Sequence, residues 1–416
     1  MTPPSVGRAR AAMQEARLLW ASRPALCVLL HAGPVLGPIR RLPTLGWVVT
    51  DPVAARAVLN DPVHFTLLGE GGVGHLWAQV LGDWVHRLFD GAGHADLRRR
   101  ARDLFTDASA QPLAARVFDP ALGPALTRLR AGEAVDVADL ARVLVGRMTA
   151  ELLGLDVSGG DDRFRALFAT GERLARLALG TAASTELAPG VVAQARGIVD
   201  ELTGHVPAAF TTAPPATLLG RCRELGLTAQ EASGLAALLL VAGTETAATA
   251  MARIVALLHD TGGQHALRAD PALLPDAVRE GLRVTTPAPV IGRSVSSDVE
   301  IAGARLRAGE RVLVLTYAAN NRPGGFDLAR PYVPESRQLW FGAGRHLCLG
   351  AALARAEVGH LLAGLIDAGP LRIVRRRPAR GVLIPAYAEL SVVLTTRPLP
   401  RSSSVPAGSP APSAPR

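Results

Sequence analysis

Apolar positions recur every three or four residues through most of the chain, the spacing of helices that bury one face. Residues 7–22 show it first, as an amphipathic helix. Two short extended runs follow, Val35-Leu36-Gly37-Pro38-Ile39 and Gly46-Trp47-Val48-Val49, and their Pro and Gly punctuation predicts a hairpin. Thr50 or Asp51 then caps a short helix through Leu59. Residues 66–90 hold Gly69, Gly71, Gly72 and Gly74 with Trp77 and Trp84, and are expected to form a long irregular segment of the kind that often binds ligands. From about 118 to 210 the pattern is helical, with breaks at Gly159-Gly160, Gly180 and Pro189-Gly190. Thr228-Ala229-Gln230-Glu231 is a capping box, and the helix it opens runs to about Leu258, roughly 45 Å at 1.5 Å per residue. A shorter helix over 276–283, an extended run at 287–291, a hairpin at 298–303 and alternating residues at 382–396 complete the pattern. It predicts a mainly α fold with small β-sheets, one domain over residues 1–396. From 397 onward only Pro, Ser, Ala, Val, Gly, Leu and Arg remain, a composition expected to be disordered.

The chain has 416 residues, a formal charge of +9 and a pI near 10.8. That charge alone would admit a nucleic-acid binder. Every cationic side chain is arginine, however, and aromatic residues make up only 4%, so the balance reads as compositional bias and nucleic acid is not an expected partner. Cys27, Cys222 and Cys348 are scattered, with neither disulfide nor zinc spacing. A reducing cytoplasm fits them. Residues 1–25 mix charge through the apolar positions and read as no signal peptide. The apolar run near 234–243 is too short to span a bilayer, so a soluble monomer without a membrane partner is expected.

Chemistry gathers in Phe341-Gly342-Ala343-Gly344-Arg345-His346-Leu347-Cys348-Leu349-Gly350, a glycine-rich loop feeding an alanine-rich helix. The start of that helix offers unpaired N–H groups that favour a thiolate at Cys348, and a thiolate beside a bare backbone loop suits an axial ligand to haem iron. A second signal is Ala242-Gly243-Thr244-Glu245-Thr246, which puts Gly, an acid and two hydroxyls inside an otherwise apolar helix. Such a local conflict tends to mark a functional site. His94 and Arg98 stand four apart on one helix face, and Glu280 and Arg283 stand three apart on another.

These strings, in this order, resemble the cytochrome P450 family, soluble bacterial type, over about residues 30 to 396. The resemblance implies an α-rich core of helices sandwiching haem b, with a minor β-rich region near the N-terminus. It implies Cys348 as iron ligand, with Phe341, Gly342, Gly344, His346 and Gly350 forming the loop. His94, Arg98, Arg293 and His346 would anchor the propionates. Gly243 would loosen the long helix, while Thr246 and Glu245 would assist oxygen activation and proton relay, and Glu280 with Arg283 would form a structural ion pair. Leu239, Leu240, Ala242, Gly243, Val290, Ile291, Pro385 and Tyr387 would line a pocket for a medium-sized hydrophobic molecule. A ferredoxin or flavodoxin, supplied by its reductase, would dock on Arg99, Arg100, Arg102 and Arg345. The activity implied is insertion of one oxygen atom from O2; a peroxide-driven peroxygenase and a haem sensor are the alternatives.

Overall fold

A computed structural model describes residues 4–158, 160–179 and 186–395; the expected tail and the breaks at Gly159 and Gly180 lie outside the described residues. Two helices come first, α1 (Pro4–Ser22) and α2 (Pro24–Ala32). Pro24 fixes a helical φ at the start of α2, and Gly33–Leu36 continues it as a 3-10 turn, so the first expected extended run is not a strand. The hairpin begins later, where β1 (Ile39–Leu42) pairs antiparallel with β2 (Gly46–Val49). Asp51 caps α3 (Pro52–Asn60), its carboxylate accepting the Val53 and Ala54 amides. After β3 (Phe65–Thr66), the glycine-rich stretch expected to be irregular is largely helical, as α4 (Val73–Leu81) and α5 (Trp84–Phe89). Its glycines serve the approach to α4: a Cβ on Gly72 would stand 2.0 Å from the Leu67 carbonyl oxygen.

The helical body is built from α6 (Ala92–Ala101), α7 (Asp107–Arg130), β4 (Val135–Asp136), α8 (Val137–Leu153), α9 (Asp161–Leu179), α10 (Pro189–Thr203), α11 (Val206–Thr212), α12 (Leu218–Glu224) and α13 (Ala229–Thr261). Both halves of the Thr228–Glu231 capping box are made, and Gly262 ends α13 at a φ of 78°. Among the described residues α13 is the one helix long and apolar enough to cross a membrane, and it lies largely buried inside the fold. It packs against α1, α8 and α9. Arg253, fully buried on α13, meets Glu15 of α1 at 3.2 Å and donates to the Thr285 carbonyl at 2.7 Å.

The remainder comprises α14 (Gly263–Ala269), α15 (Leu274–Thr285), β5 (Ile291–Val295), β6 (Val299–Ile301), β7 (Ala304–Leu306), β8 (Arg311–Val314), α16 (Thr316–Asn321), α17 (Ala351–Ala368), β9 (Leu371–Pro378) and β10 (Tyr387–Leu394). One sheet runs β1-β2-β8-β5-β3, with β2 and β8 parallel and the other pairs antiparallel. A second runs β4-β10-β9, and β6 with β7 forms the expected hairpin. Helix α7 survives Pro120 and Pro124 in its interior, although each removes a backbone donor. Its buried Phe118 and Leu122 lie on the face packed toward α8 and α17, and that burial outweighs the local preference.

Candidate functional site

The cysteine loop is shaped by two glycines in left-handed conformation, Gly342 at φ 76° and Gly344 at φ 66°. At Gly344 the constraint is also steric, since a Cβ there would come 2.5 Å from the Leu59 carbonyl oxygen at the end of α3. The Cys348 amide donates back to the Phe341 carbonyl at 2.9 Å, which closes the loop on itself. Gly350 caps α17, and its amide donates to the Cys348 sulfur. Cys348 is exposed, whereas Cys27 and Cys222 are buried, and burial pushes the Cys222 thiol up to about 12. Around Cys348 the surrounding protein raises the thiol more than the Gly350 amide and the Arg98 guanidinium lower it. A cation at the sulfur would favour the thiolate.

Beside the loop lies a cluster of donors. His94 and Arg98 share one face of α6, as their spacing predicts. The His94 ring stands 4.8 Å from that of His346, and Arg98 donates to the Leu347 carbonyl at 2.7 Å. Burial, then the charges of His346 and Arg98, pull His94 down to about 4. Arg293 is buried in β5, bonded to the carbonyl of its own neighbour Gly292 at 2.9 Å and in no ion pair among the described residues. Burial lowers it to about 10. A buried guanidinium without a carboxylate is costly, so it marks a place for an anionic ligand. Asp90 faces the two histidines and Arg345, and the buried Glu357 of α17 acts on Cys348 from the other side of the loop's end. Asp90 lies 2.9 Å from His346 Nε2 and 3.4 Å from Arg345, and accepts from the Thr66 hydroxyl at 2.5 Å. Burial opposes its ionisation, but the bonds from His346 and Thr66 prevail and hold it at about 2. The sequence reading missed Asp90, because a lone acid before a helix has many ordinary uses.

On α13, Leu239, Ala242, Gly243 and Thr246 form the one strip in this stretch that is not fully buried. The helix is continuous through Gly243, so the expected loosening is not a break. The Thr246 hydroxyl donates to the Ala242 carbonyl at 2.7 Å. Glu245 leaves the helix on another side, buried, accepting the Ile384 amide. Gly171 of α9 packs against α13, where a Cβ would make ordinary contact with the Leu240 carbonyl oxygen at 3.7 Å. This packing brings Glu172 and Arg176, paired at 2.9 Å and partly solvent-exposed, into the electrostatic surroundings of Glu245. Burial, then repulsion from Glu172, pushes Glu245 up to about 8.

The other expected pocket residues divide. Ile291 reaches the loop, its Cδ1 3.8 Å from where a Cβ of Gly342 would be. Val290 packs instead in the cluster of Leu19, Leu30 and Leu313. Adjacent residues entering a strand face opposite sides, so both cannot line one wall. Tyr387 departs from the expectation more strongly. It is buried in β10 with Arg376 over its ring at 5.7 Å, its hydroxyl unpartnered among the described residues, in the electrostatic surroundings of Glu15, Arg376, Asp260 and Arg253. Leu240 and Pro385 are likewise buried.

Glu280 and Arg283 form a buried two-pronged pair at 2.6 and 2.8 Å. Arg283 also donates to the carbonyls of Asn320 (2.5 Å) and Gly324 (2.9 Å). Arg330, which the sequence did not single out, joins Glu280 at 3.1 Å and ties down the segment before the cysteine loop. Arg99, Arg100 and Arg102 are exposed; Arg99 pairs with Asp96 and Arg345 with Asp90, while Arg100 and Arg102 make no ion pair among the described residues.

A family model described as cytochrome P450 matches residues 217–368. A putative cytochrome P450, YjiB of Bacillus subtilis, is 38% identical over 162 residues, 37% of this chain and 40% of that protein. The 20-oxo-5-O-mycaminosyltylactone 23-monooxygenase of Streptomyces fradiae is 36% identical over 162 residues, 37% of this chain and 38% of its own length. The matched stretch thus spans about two fifths of these curated relatives. Over the whole fold, a mutant of P450 EryK in complex with erythromycin B superposes with a TM-score of 0.73 at 25% identity, covering 92% of this chain and 99% of that one.

Proposed function

The chain belongs to the cytochrome P450 family, and from that premise we propose that it is a haem-thiolate monooxygenase acting on a medium-sized hydrophobic molecule, an intermediate of secondary metabolism. The observation that carries the reading is the gathering of His94, Arg98 and His346 at the Cys348 loop, with Arg293 buried, in no ion pair among the described residues and near enough to Asp90 to feel its charge. Those residues fit haem b: Cys348 would hold the iron, the four donors would take the two propionates, and Phe341 would cover the sulfur. When bound, the haem supplies activation of dioxygen and transfer of one oxygen atom.

The chain's own residues then orient substrate and move protons. Thr246 holds a proton at Oγ1 on the open strip of α13, steadied by the Ala242 carbonyl. Glu245 is neutral at pH 7, able to give up a proton and regain one from the side of the Glu172–Arg176 pair. Leu239, Ala242 and Ile291 offer apolar surface that excludes water and suits a hydrophobic substrate. The Streptomyces fradiae relative, named for a tylactone derivative, supports that class. Electrons would come from a ferredoxin or flavodoxin docked on Arg99, Arg100, Arg102 and Arg345. Three unpaired cysteines suit a reducing cytoplasm.

The test joins spectroscopy to turnover. The reduced protein under carbon monoxide should show the red-shifted thiolate band. With NAD(P)H, a ferredoxin and its reductase it should oxidise at least one member of a panel of hydrophobic metabolites. Turnover on added hydrogen peroxide alone would favour a peroxygenase, and a thiolate band with no turnover under any donor would favour a sensor; either result sinks the proposal.

A further inference from the structure

Helix α1 buries Ala11, Leu18 and Leu19 on one face, so its opposite face should be polar. It is not. Val6 (52% exposed), Met13 (46%) and Trp20 (56%) stand there seven residues apart, and hence in one line. Arg10 and Arg17 fall between them, so the strip alternates apolar, arginine, apolar, arginine, apolar. The next helix continues the apolar exposure at Val28, and Val35 follows just beyond it. Five of the nine large apolar side chains exposed on the described surface therefore lie between residues 6 and 35.

Charge is equally one-sided. Residues 1–50 contain Arg8, Arg10, Arg17, Arg23, Arg40 and Arg41 and a single acid, Glu15. Glu15 is turned inward onto Arg253. Arg8, Arg10 and Arg41 lean on Asp327, Asp260 and Glu310 of other segments, while Arg17 and Arg40 make no ion pair among the described residues.

We propose that this outer face of α1 and α2 seats the protein on the surface of an anionic lipid bilayer, as a peripheral attachment. This departs from the expectation of no membrane partner. The alternation fits a lipid interface because long arginine side chains keep their guanidinium groups at the phosphates while the apolar side chains between them dip beneath, and an exposed tryptophan prefers that boundary. A second copy of the chain would set arginine against arginine. The attachment rests on the surface alone and holds whatever reaction the protein performs.

Haem-loaded, full-length protein is floated with vesicles of phosphatidylcholine containing about 30% phosphatidylglycerol, and with phosphatidylcholine alone. Flotation is expected with the anionic vesicles, falling at high salt. Arg17→Glu should reduce the partition coefficient at least tenfold, since each arginine near such a surface contributes about fivefold. Met13→Glu and Trp20→Glu should do so as well, while Val63→Glu, exposed but outside the strip, should not. Unchanged haem absorption verifies the fold of each variant. No flotation, equal flotation of the strip variants, or equal binding to neutral vesicles overturns the proposal. So does a dimer in vesicle-free solution that Met13→Glu dissolves, or capture of an acidic protein on this strip with no affinity for lipid.

Discussion

Thr246 and Glu245 are adjacent on α13 but face different surroundings: the hydroxyl lies on the open strip, bonded to Ala242, and the carboxyl is buried beside α9. Their losses should therefore differ in kind. Thr246→Ala should still bind substrate and oxidise NAD(P)H, but release more hydrogen peroxide and less product per electron pair. General-acid assistance is worth roughly a hundred- to ten-thousandfold, enough to change which outcome dominates. Coupling equal to the wild type would remove Thr246 from the mechanism.

Glu245 should give a pH signature. Its carboxyl is held at about 8 in the fold against an ordinary value of 4.5. Below pH 4.5 both states are protonated and the fold is not penalised. Between 4.5 and 8 the unfolded chain ionises while the folded one does not, so stability is lost as pH rises and levels off above 8. Glu245→Gln lacks this slope. The melting temperature of the variant minus that of the wild type should climb across that window, and coupled turnover should fall above pH 8 in the wild type only.

The Glu280 cluster predicts a ranking. Glu280→Ala strands Arg283 in the core at a cost of about 3–5 kcal/mol. Arg330→Ala leaves the Glu280–Arg283 pair intact and should cost about 1.5–3 kcal/mol, the range of hydrogen bonds to charged groups. Denaturant midpoints and haem content check both. Equal losses would mean that Arg330 is no lesser member than Arg283.

Cys348→Ala should abolish the thiolate band of the reduced carbonyl complex, while Cys27→Ala and Cys222→Ala keep it, both being buried within α2 and α12. A band that survives Cys348→Ala would falsify the ligand assignment.

Arg100→Glu with Arg102→Glu should raise the Michaelis constant for the donor protein at low salt and converge on the wild type at high salt, since steering is screened. Substrate affinity should not move. A rate indifferent to both changes removes this patch from docking.

The cysteine loop was legible because its determinants lie within ten consecutive residues, and the caps at Asp51 and Thr228 because they act over three. The stretch 66–90 was misread: its glycines pointed to irregularity, whereas Gly72 serves the tight approach to α4 and helices fill most of the rest. Arg330 and Asp90 were invisible because each works through partners dozens to hundreds of residues away. Tyr387 and Val290 were misplaced because only strand pairing decides which face a side chain takes. The outer strip of α1 was hidden by its own inner face, since helical spacing does not say which of two apolar faces meets water.

The tie between the first strands and the last third of the chain governs how the protein can be made. Trp47 Nε1 donates to Glu310, 263 residues further on, and Glu15 waits 238 residues for Arg253. At ribosomal rates of about 5–20 residues per second, β2 spends roughly 13–50 s without its parallel partner β8. For most of that interval the face of α1 that will meet α13 also waits for its partner. Leu59 meets Gly344 only after all the residues between them have been made, so the cysteine loop takes its seat against α3 late and cannot template the first sheet.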